Sequence, residues 1–280
     1  MASLIGTAGN DVLNGGNEDD YIVGGDGADS IDGGAGNDSI WAGTGDTGAD
    51  DVYGGTGNDL IGGGAGDDEI EGGAGSDTLY GGAGEDAIYL GFTVTAGSAS
   101  DDASGDTAWA GAGNDAIAGS AGNDIIGGGA EDDYLAAWSG NDVVYGGTGD
   151  DQIYGGAADD TLFGGAGNDN LSGEAGHDEV WGGAGDDTFA GSASSDANAD
   201  TFGFAVGSGN DAIYSFNAGD GGDVLDISAY GFTGDLAALI AIGTIDDGGT
   251  ANTVINLGGS NSITLFGVTE TALTDANFII

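Results

Sequence analysis

The chain of 280 residues contains no lysine, no arginine, no cysteine and no proline, and it has a single histidine, His177. Without bases it cannot form a positive patch, so charge-matched recognition of nucleic acid, anionic lipid or acidic substrates is excluded. Without cysteine it has neither disulfides nor thiolate metal sites. Membrane insertion is not expected, because the longest apolar run, Leu236 to Ile242, is too short to span a bilayer. Nor does Met1-Ala2-Ser3 open a basic leader segment. His177 lies in a repeated loop just before Asp178, where other units carry Asn, Asp or Ser. It reads as a solvent-facing loop residue, no catalytic residue is assigned, and the chain is not expected to be an enzyme.

What the chain does have is 49 acidic residues and 65 glycines, for a formal net charge of −49. Nothing in the chain neutralises that charge, and self-repulsion would hold it open unless cations are part of the fold. The glycines and acids recur with a nine-residue period, G-G-x-G-x-D-x-U-x, where U is a large aliphatic. One such unit is Gly33-Gly34-Ala35-Gly36-Asn37-Asp38-Ser39-Ile40-Trp41, and another is Gly72-Gly73-Ala74-Gly75-Ser76-Asp77-Thr78-Leu79-Tyr80. A fixed short period predicts a solenoid. The expected organisation is a first repeat tract over 1–89, an irregular insertion over 90–109, a second tract over 110–214 and a different C-terminal segment over 215–280. Smaller interruptions fall near Thr47 and around Asp196 to Asp200.

Each position of the unit has a physical role. Glycines permit left-handed backbone angles, so Gly-Gly-x-Gly can form a tight arch whose carbonyls converge. The following x-U-x is a short strand with its middle residue turned inward. The expected inward row is Leu13, Ile22, Ile31, Ile40, Val52, Ile61, Ile70, Leu79 and Ile88, then Ile117, Ile126, Leu135, Val144, Ile153, Leu162, Leu171, Val180 and Phe189. The aspartate adds charge beside the carbonyls, and many hard oxygen ligands in a flexible loop suit calcium better than magnesium. One Asp per nine residues argues for ligation by Asp11, Asp20, Asp29, Asp38, Asp50, Asp59, Asp68, Asp77 and Asp86, then by Asp115, Asp124, Asp133, Asp142, Asp151, Asp160, Asp169, Asp178, Asp187 and Asp211. Other acids, such as Asp32, Glu69, Glu71 and Glu179, read as solvated faces. Several units depart from the pattern. Glu18, Glu131 and Ala158 replace the third glycine, and Trp138 takes the second glycine's place, where a left-handed angle would be strained.

These nonapeptides resemble the RTX (repeats-in-toxin) units of secreted proteins, over about three quarters of the chain. The resemblance implies an all-β fold: a parallel β-roll in which units alternate between two sheets, closed by a C-terminal β cap. It implies several calcium ions between loops one coil apart. Asp20 would stack near Asp38, Asp59 near Asp77, Asp124 near Asp142, and Asp151 near Asp169. Carbonyl ligands would come from positions one, three and five, for example Gly33, Ala35 and Asn37, Gly72, Ala74 and Ser76, or Gly164, Ala166 and Asn168. The stretches Asp223 to Ser228 and Asp275 to Ile280 are similar to the C-terminal region of type I secreted proteins. The type I secretion machinery is therefore an expected partner, and the expected location is extracellular or at the cell surface.

In the C-terminal segment, alternation predicts strands at Thr253 to Leu257 and Ser262 to Phe266, with a short helix from Asp235 to Ile242. Among the repeats, Trp41, Tyr80, Trp109, Tyr145, Phe163 and Trp181 fall at the outward ninth position of even-numbered units, whereas Tyr53, Tyr89 and Tyr154 fall on odd ones. One face is expected to carry an aromatic stripe, a contact surface if it is exposed. The favoured function is a calcium-dependent structural protein that self-assembles into an extracellular filament or surface layer, with an open first coil that invites head-to-tail contact between copies. The alternative is a calcium-stabilised module that binds a surface or polysaccharide through the stripe. An enzyme accessory subunit is a third reading.

Overall fold

A computed structural model describes residues 3–43, 45, 47–91, 103–190, 198–219, 221–232, 235–241, 245–246, 248–249 and 251–280. The chain divides into two units, Met1–Tyr145 and Gly146–Ile280.

In the N-terminal unit each nonapeptide makes half a coil, and successive x-U-x segments enter two parallel sheets in turn. Sheet I consists of Ser3–Ile5, Tyr21–Gly25, Ser39–Gly43, Leu60–Ala65, Thr78–Ala83, Thr107–Ala112 and Ile125–Ala130. Sheet II consists of Val12–Gly16, Ser30–Ala35, Asp51–Thr56, Glu69–Ala74, Ala87–Tyr89, Ala116–Ala118 and Tyr134–Ala136. Like positions stack on like positions, as in Tyr21 on Ser39, Ile22 on Ile40 and Val23 on Trp41. Strand alternation then turns every U residue inward. Ile22, Ile40, Ile61, Ile70, Leu79 and Ile88 are completely buried, and the predicted core row stands except at Leu13, which is only half-buried in the first coil.

The glycines allow the arches to stack. Gly34 and Gly36 hold φ at 97° and 123°, and a Cβ on Gly34 would collide with the Gly16 carbonyl one coil back. The strain expected at Trp138 is present, with φ at 77°. Glu131 and Ala158 take the same region at the fourth position, and so does Glu174 at a second position that sequence reading passed over. Each costs about 1 kcal/mol or more.

In the C-terminal unit one parallel sheet contains Gln152–Ala157, Asn170–Ala175, Thr188–Ala190, Asn210–Tyr214 and Asn261–Leu265, and the other contains Thr161–Ala166, Glu179–Ala184, Thr201–Gly203, Val224–Asp226 and Phe278–Ile279. Two expected boundaries move. Strand Thr107–Ala112 begins inside the segment assigned to the insertion at 90–109, of which 92–102 lie outside the described residues. Around the 196–200 interruption, where 191–197 lie outside, Thr201–Gly203 supplies a further strand with Phe202 buried. Past Tyr214 the roll continues, because Val224–Asp226, Asn261–Leu265 and Phe278–Ile279 all join the sheets in parallel. Thr253–Gly258 pairs antiparallel with Asn261–Leu265. The helix spans Leu236–Ala241, inside the expected Asp235 to Ile242, whose last residue is not among those described.

Candidate metal-binding ladders

The sixth-position aspartates form ladders along the coils. In the N-terminal unit one ladder enters sheet I through Asp20, Asp38, Asp59, Asp77, Asp106, Asp124 and Asp142. Each Oδ1 accepts the backbone N–H of the Asp one coil earlier, at 2.7–2.9 Å. The other enters sheet II through Asp11, Asp29, Asp50, Asp68, Asp86, Asp115 and Asp133, at 2.6–2.9 Å. The C-terminal unit repeats the device in Asp151, Asp169, Asp187 and Asp211, and in Asp160, Asp178, Asp200 and Asp223. The four stacked pairs expected from the resemblance are all present. Asp106, Asp200 and Asp223 are members that sequence reading missed. The signal was an Asp two residues before a buried residue, here Ala108, Phe202 and Leu225, but loop insertions had taken it out of the nine-residue register.

The second carboxylate oxygen shows what the ladder lacks. Oδ2 of Asp29, Asp38, Asp59, Asp86, Asp115, Asp169 and Asp187 is buried with no hydrogen-bond partner. Except at Asp115, whose unit opens on Ala110, it lies against the first glycine of its own unit, where a side chain would displace it. A Cβ on Gly33 would stand 2.6 Å from Asp38 Oδ2 and 2.6 Å from the Gly54 carbonyl oxygen. An anionic oxygen buried without a partner costs several kcal/mol unless a proton or a cation satisfies it. Asp11 and Asp124 are different. Where a hydroxyl residue replaces the second glycine, their Oδ2 atoms accept from Thr7 N–H at 2.6 Å and Oγ1 at 2.8 Å, and from Ser120 N–H at 2.8 Å and Oγ at 3.1 Å.

Fifth-position side chains form a parallel ladder of opposite polarity. Asn37 Oδ1 accepts from the Asn58 N–H at 2.8 Å, and Asn58 Oδ1 from the Ser76 N–H at 3.1 Å. Among the suggested carbonyl ligands, Ala74 already accepts from the Gly57 N–H and Ala166 from the Gly149 N–H, so each has one lone pair left for a cation. Among the described residues no three His, Asp or Glu side chains converge on one point. A cation held here must therefore draw much of its coordination from backbone oxygen, a donor set suited to calcium.

Electrostatics agree. Burial pushes Asp86, Asp142 and Asp187 up to about 7, and Asp59, Asp169 and Asp211 up to about 6. Backbone donors oppose the shift, and the neighbouring carboxylates in the ladder add to it at Asp59, Asp86, Asp142 and Asp187. The ladders thus fit a bound cation on three grounds: orphaned oxygens, glycine-lined cradles and carboxyls that resist ionising alone.

The aromatic positions also separate by sheet. Trp41, Tyr80 and Trp109 lie on sheet I, and Phe163 and Trp181 share one sheet of the C-terminal unit. Tyr53 and Tyr89 lie on sheet II. The Trp109 ring stacks with Tyr145 at a centroid distance of 6.1 Å. His177 is exposed, and its Nδ1 lies 3.1 Å from the Ala199 carbonyl oxygen and 3.2 Å from the Ala199 nitrogen.

Residues 5–40, 15–47, 23–61, 44–79, 62–92, 100–135, 139–171 and 163–197 match the RTX calcium-binding nonapeptide repeat (4 copies). The chain belongs to this RTX repeat family. RTX nonapeptides bind several calcium ions, and the stacked aspartate turns described above fit that cofactor. RTX rolls are typically structural, and RTX proteins are generally secreted. No described helix is long and apolar enough to cross a membrane. Among solved structures, this RTX chain is similar to the extracellular lipase LipA of Serratia marcescens, at 21% identity over all of this chain and 40% of the lipase, with a TM-score of 0.39. It is also similar to a subunit of the Azotobacter vinelandii mannuronan C5-epimerase, at 31% identity over 54% of this chain and 80% of that one, with a TM-score of 0.26. The chain thus spans less than half of the lipase. No curated protein matches it.

Proposed function

We propose that this RTX chain is a secreted structural protein that folds on calcium uptake and self-assembles into an extracellular filament or surface layer. The observation that carries the reading is the set of carboxylate ladders buried in a chain with no lysine or arginine. Asp29, Asp38, Asp59, Asp86, Asp115, Asp169 and Asp187 would hold calcium through Oδ2, with first-position carbonyls such as those of Gly54 and Gly72 beside them. Calcium supplies the positive charge that the ladders lack. In calcium-poor cytosol the carboxylates repel and the coils stay open. Outside the cell, calcium at about 10⁻³ M closes sites whose affinity is of the order expected for extracellular modules, about 10⁻⁴ to 10⁻³ M, and binding free energy becomes folding free energy. The C-terminal stretch through Asp223 to Ser228 and Asp275 to Ile280 is the candidate signal for type I export. We assign no catalysis to the chain, since its one imidazole rests on backbone at Ala199. Circular dichroism and light scattering across a calcium titration test the proposal. Folding followed by ordered polymers is expected, and a chain that folds without calcium at about pH 8, or stays monomeric at several millimolar calcium, overturns it.

A further inference from the structure

The two outer faces of the N-terminal unit differ in charge. On sheet II the outward positions include Asp32, Asp51, Glu69 and Glu71. On sheet I, two outward positions on each of seven strands carry no acid at all. They present Ile5, Tyr21, Leu60, Tyr80, Trp109 and Ile125, of which Ile5 is 71% exposed and Trp109 41%. The face is also flattened. The Trp41 and Trp109 rings lie over Gly62 and Gly127 of the next strand, where a Cβ on Gly62 would come within 2.6 Å of the Trp41 ring.

We propose that the outer face of sheet I is a homophilic docking surface, its occupant being the same face of a second copy of this chain. The inference rests on the self-assembly reading and supplies its contact. A chain with a formal charge of −49 meets a copy of itself with least repulsion where the charge is absent, and sheet I is such a place. A sugar polymer is less well matched, because polar hydrogen-bonding groups fix the orientation of such ligands and the outward positions offer hydroxyls, such as those of Ser39, Thr78 and Thr107, and the indole N–H groups of Trp41 and Trp109, with no side-chain amide or carboxylate. Seven strands about 4.8 Å apart, each with about 16 Å of its length on the face, give roughly 460 Å² per copy. Two copies bury about 900 Å², below the 1,200–2,000 Å² or so of a stable isolated pair. One contact is therefore weak, and because complete face-to-face overlap closes at two copies, the contact extends to many copies through staggered overlap, in which each face is shared between two neighbours.

The test uses the full chain in several millimolar calcium, followed by sedimentation velocity over a concentration series. A Leu60→Asp, Ile125→Asp double variant puts charge on sheet I, and Ala118→Asp puts it on sheet II. The expected result is that the concentration for association rises at least about tenfold in the double variant, as for an uncompensated charge in a contact, and stays as in wild type for Ala118→Asp. Circular dichroism reports whether each variant folds. If the double variant does not, hydroxyl-radical footprinting of wild type decides, with protection of Tyr80 and Trp109 on association expected. Wild type that associates while the double variant associates equally well, or without that protection, overturns this inference and leaves the assembly reading intact. Wild type that never associates overturns both. A calcium-loaded monomer that pellets with insoluble cellulose, and loses that property in Trp109→Ala, overturns this inference in favour of a sugar ligand.

Discussion

Asp59→Asn separates the two states of a ladder carboxylate. The substitution keeps the shape and keeps Oδ1, which accepts the Asp38 N–H at 2.8 Å. It removes the charge at Oδ2, which has no partner. In the metal-free chain, burial raises this carboxyl from the ordinary 3.8 to about 6. Such a group favours folding below about 3.8 and loses that contribution as pH rises through about 6, so at pH 7.5 its ionised form opposes folding. The rise corresponds to about 3 kcal/mol between charged and neutral forms, and screening by water at the coil edge cuts this to about 1 kcal/mol. The metal-free variant should therefore be about 1 kcal/mol more stable than wild type at pH 7.5 and equal to it at pH 3. With calcium the sign reverses, because an anionic ligand is gone, and the calcium midpoint for folding should rise. The assay is far-ultraviolet circular dichroism, with a calcium titration at pH 7.5 and a pH titration in chelator. A variant whose calcium midpoint matches wild type would refute the assignment of Asp59 as a ligand. One that destabilises the metal-free chain at pH 7.5 would refute the electrostatic argument.

Two further outcomes follow from the same geometry. In chelator the wild-type chain should gain β structure as pH falls from 8 to 5, since Asp86, Asp142 and Asp187 take up protons near 7 and Asp59, Asp169 and Asp211 near 6. Saturating calcium should abolish that gain, and a metal-free chain that loses structure over this range would contradict it. Gly62→Ala should cost about 1–3 kcal/mol by overpacking and shift the tryptophan emission, because the new methyl meets the Trp41 ring. An unchanged urea midpoint would show that the ring is free to move aside.

Sequence alone made the coil legible, because inward residue and ligand both recur on one nine-residue beat. Ile40 and Asp38 could be placed without coordinates, and the resemblance to RTX units implied the stacking of Asp20 near Asp38. What it could not place were members displaced from the beat. Asp106 follows a long insertion and precedes Ala108 rather than a large aliphatic, while Asp200 and Asp223 sit 22 and 23 residues from the preceding rung. Spacing counts residues, whereas the ladder registers height along the coil, and a loop that bulges outward changes the first without the second. Thr7 and Ser120 were hidden for a different reason: that their N–H and hydroxyl groups both reach the aspartate four residues on depends on local backbone and side-chain direction, which a pattern of residue types does not encode.

The opposed polarity of the two ladders gives damage a direction. Asp38 reaches back to hold the Asp20 N–H, whereas Asn37 holds the Asn58 N–H of the coil that follows. Truncating the first side chain unfastens the neighbour on the N-terminal side, and truncating the second unfastens the one on the C-terminal side. Adjacent residues in one arch are thus latches facing opposite ways, and an interior coil is clasped by both neighbours at once.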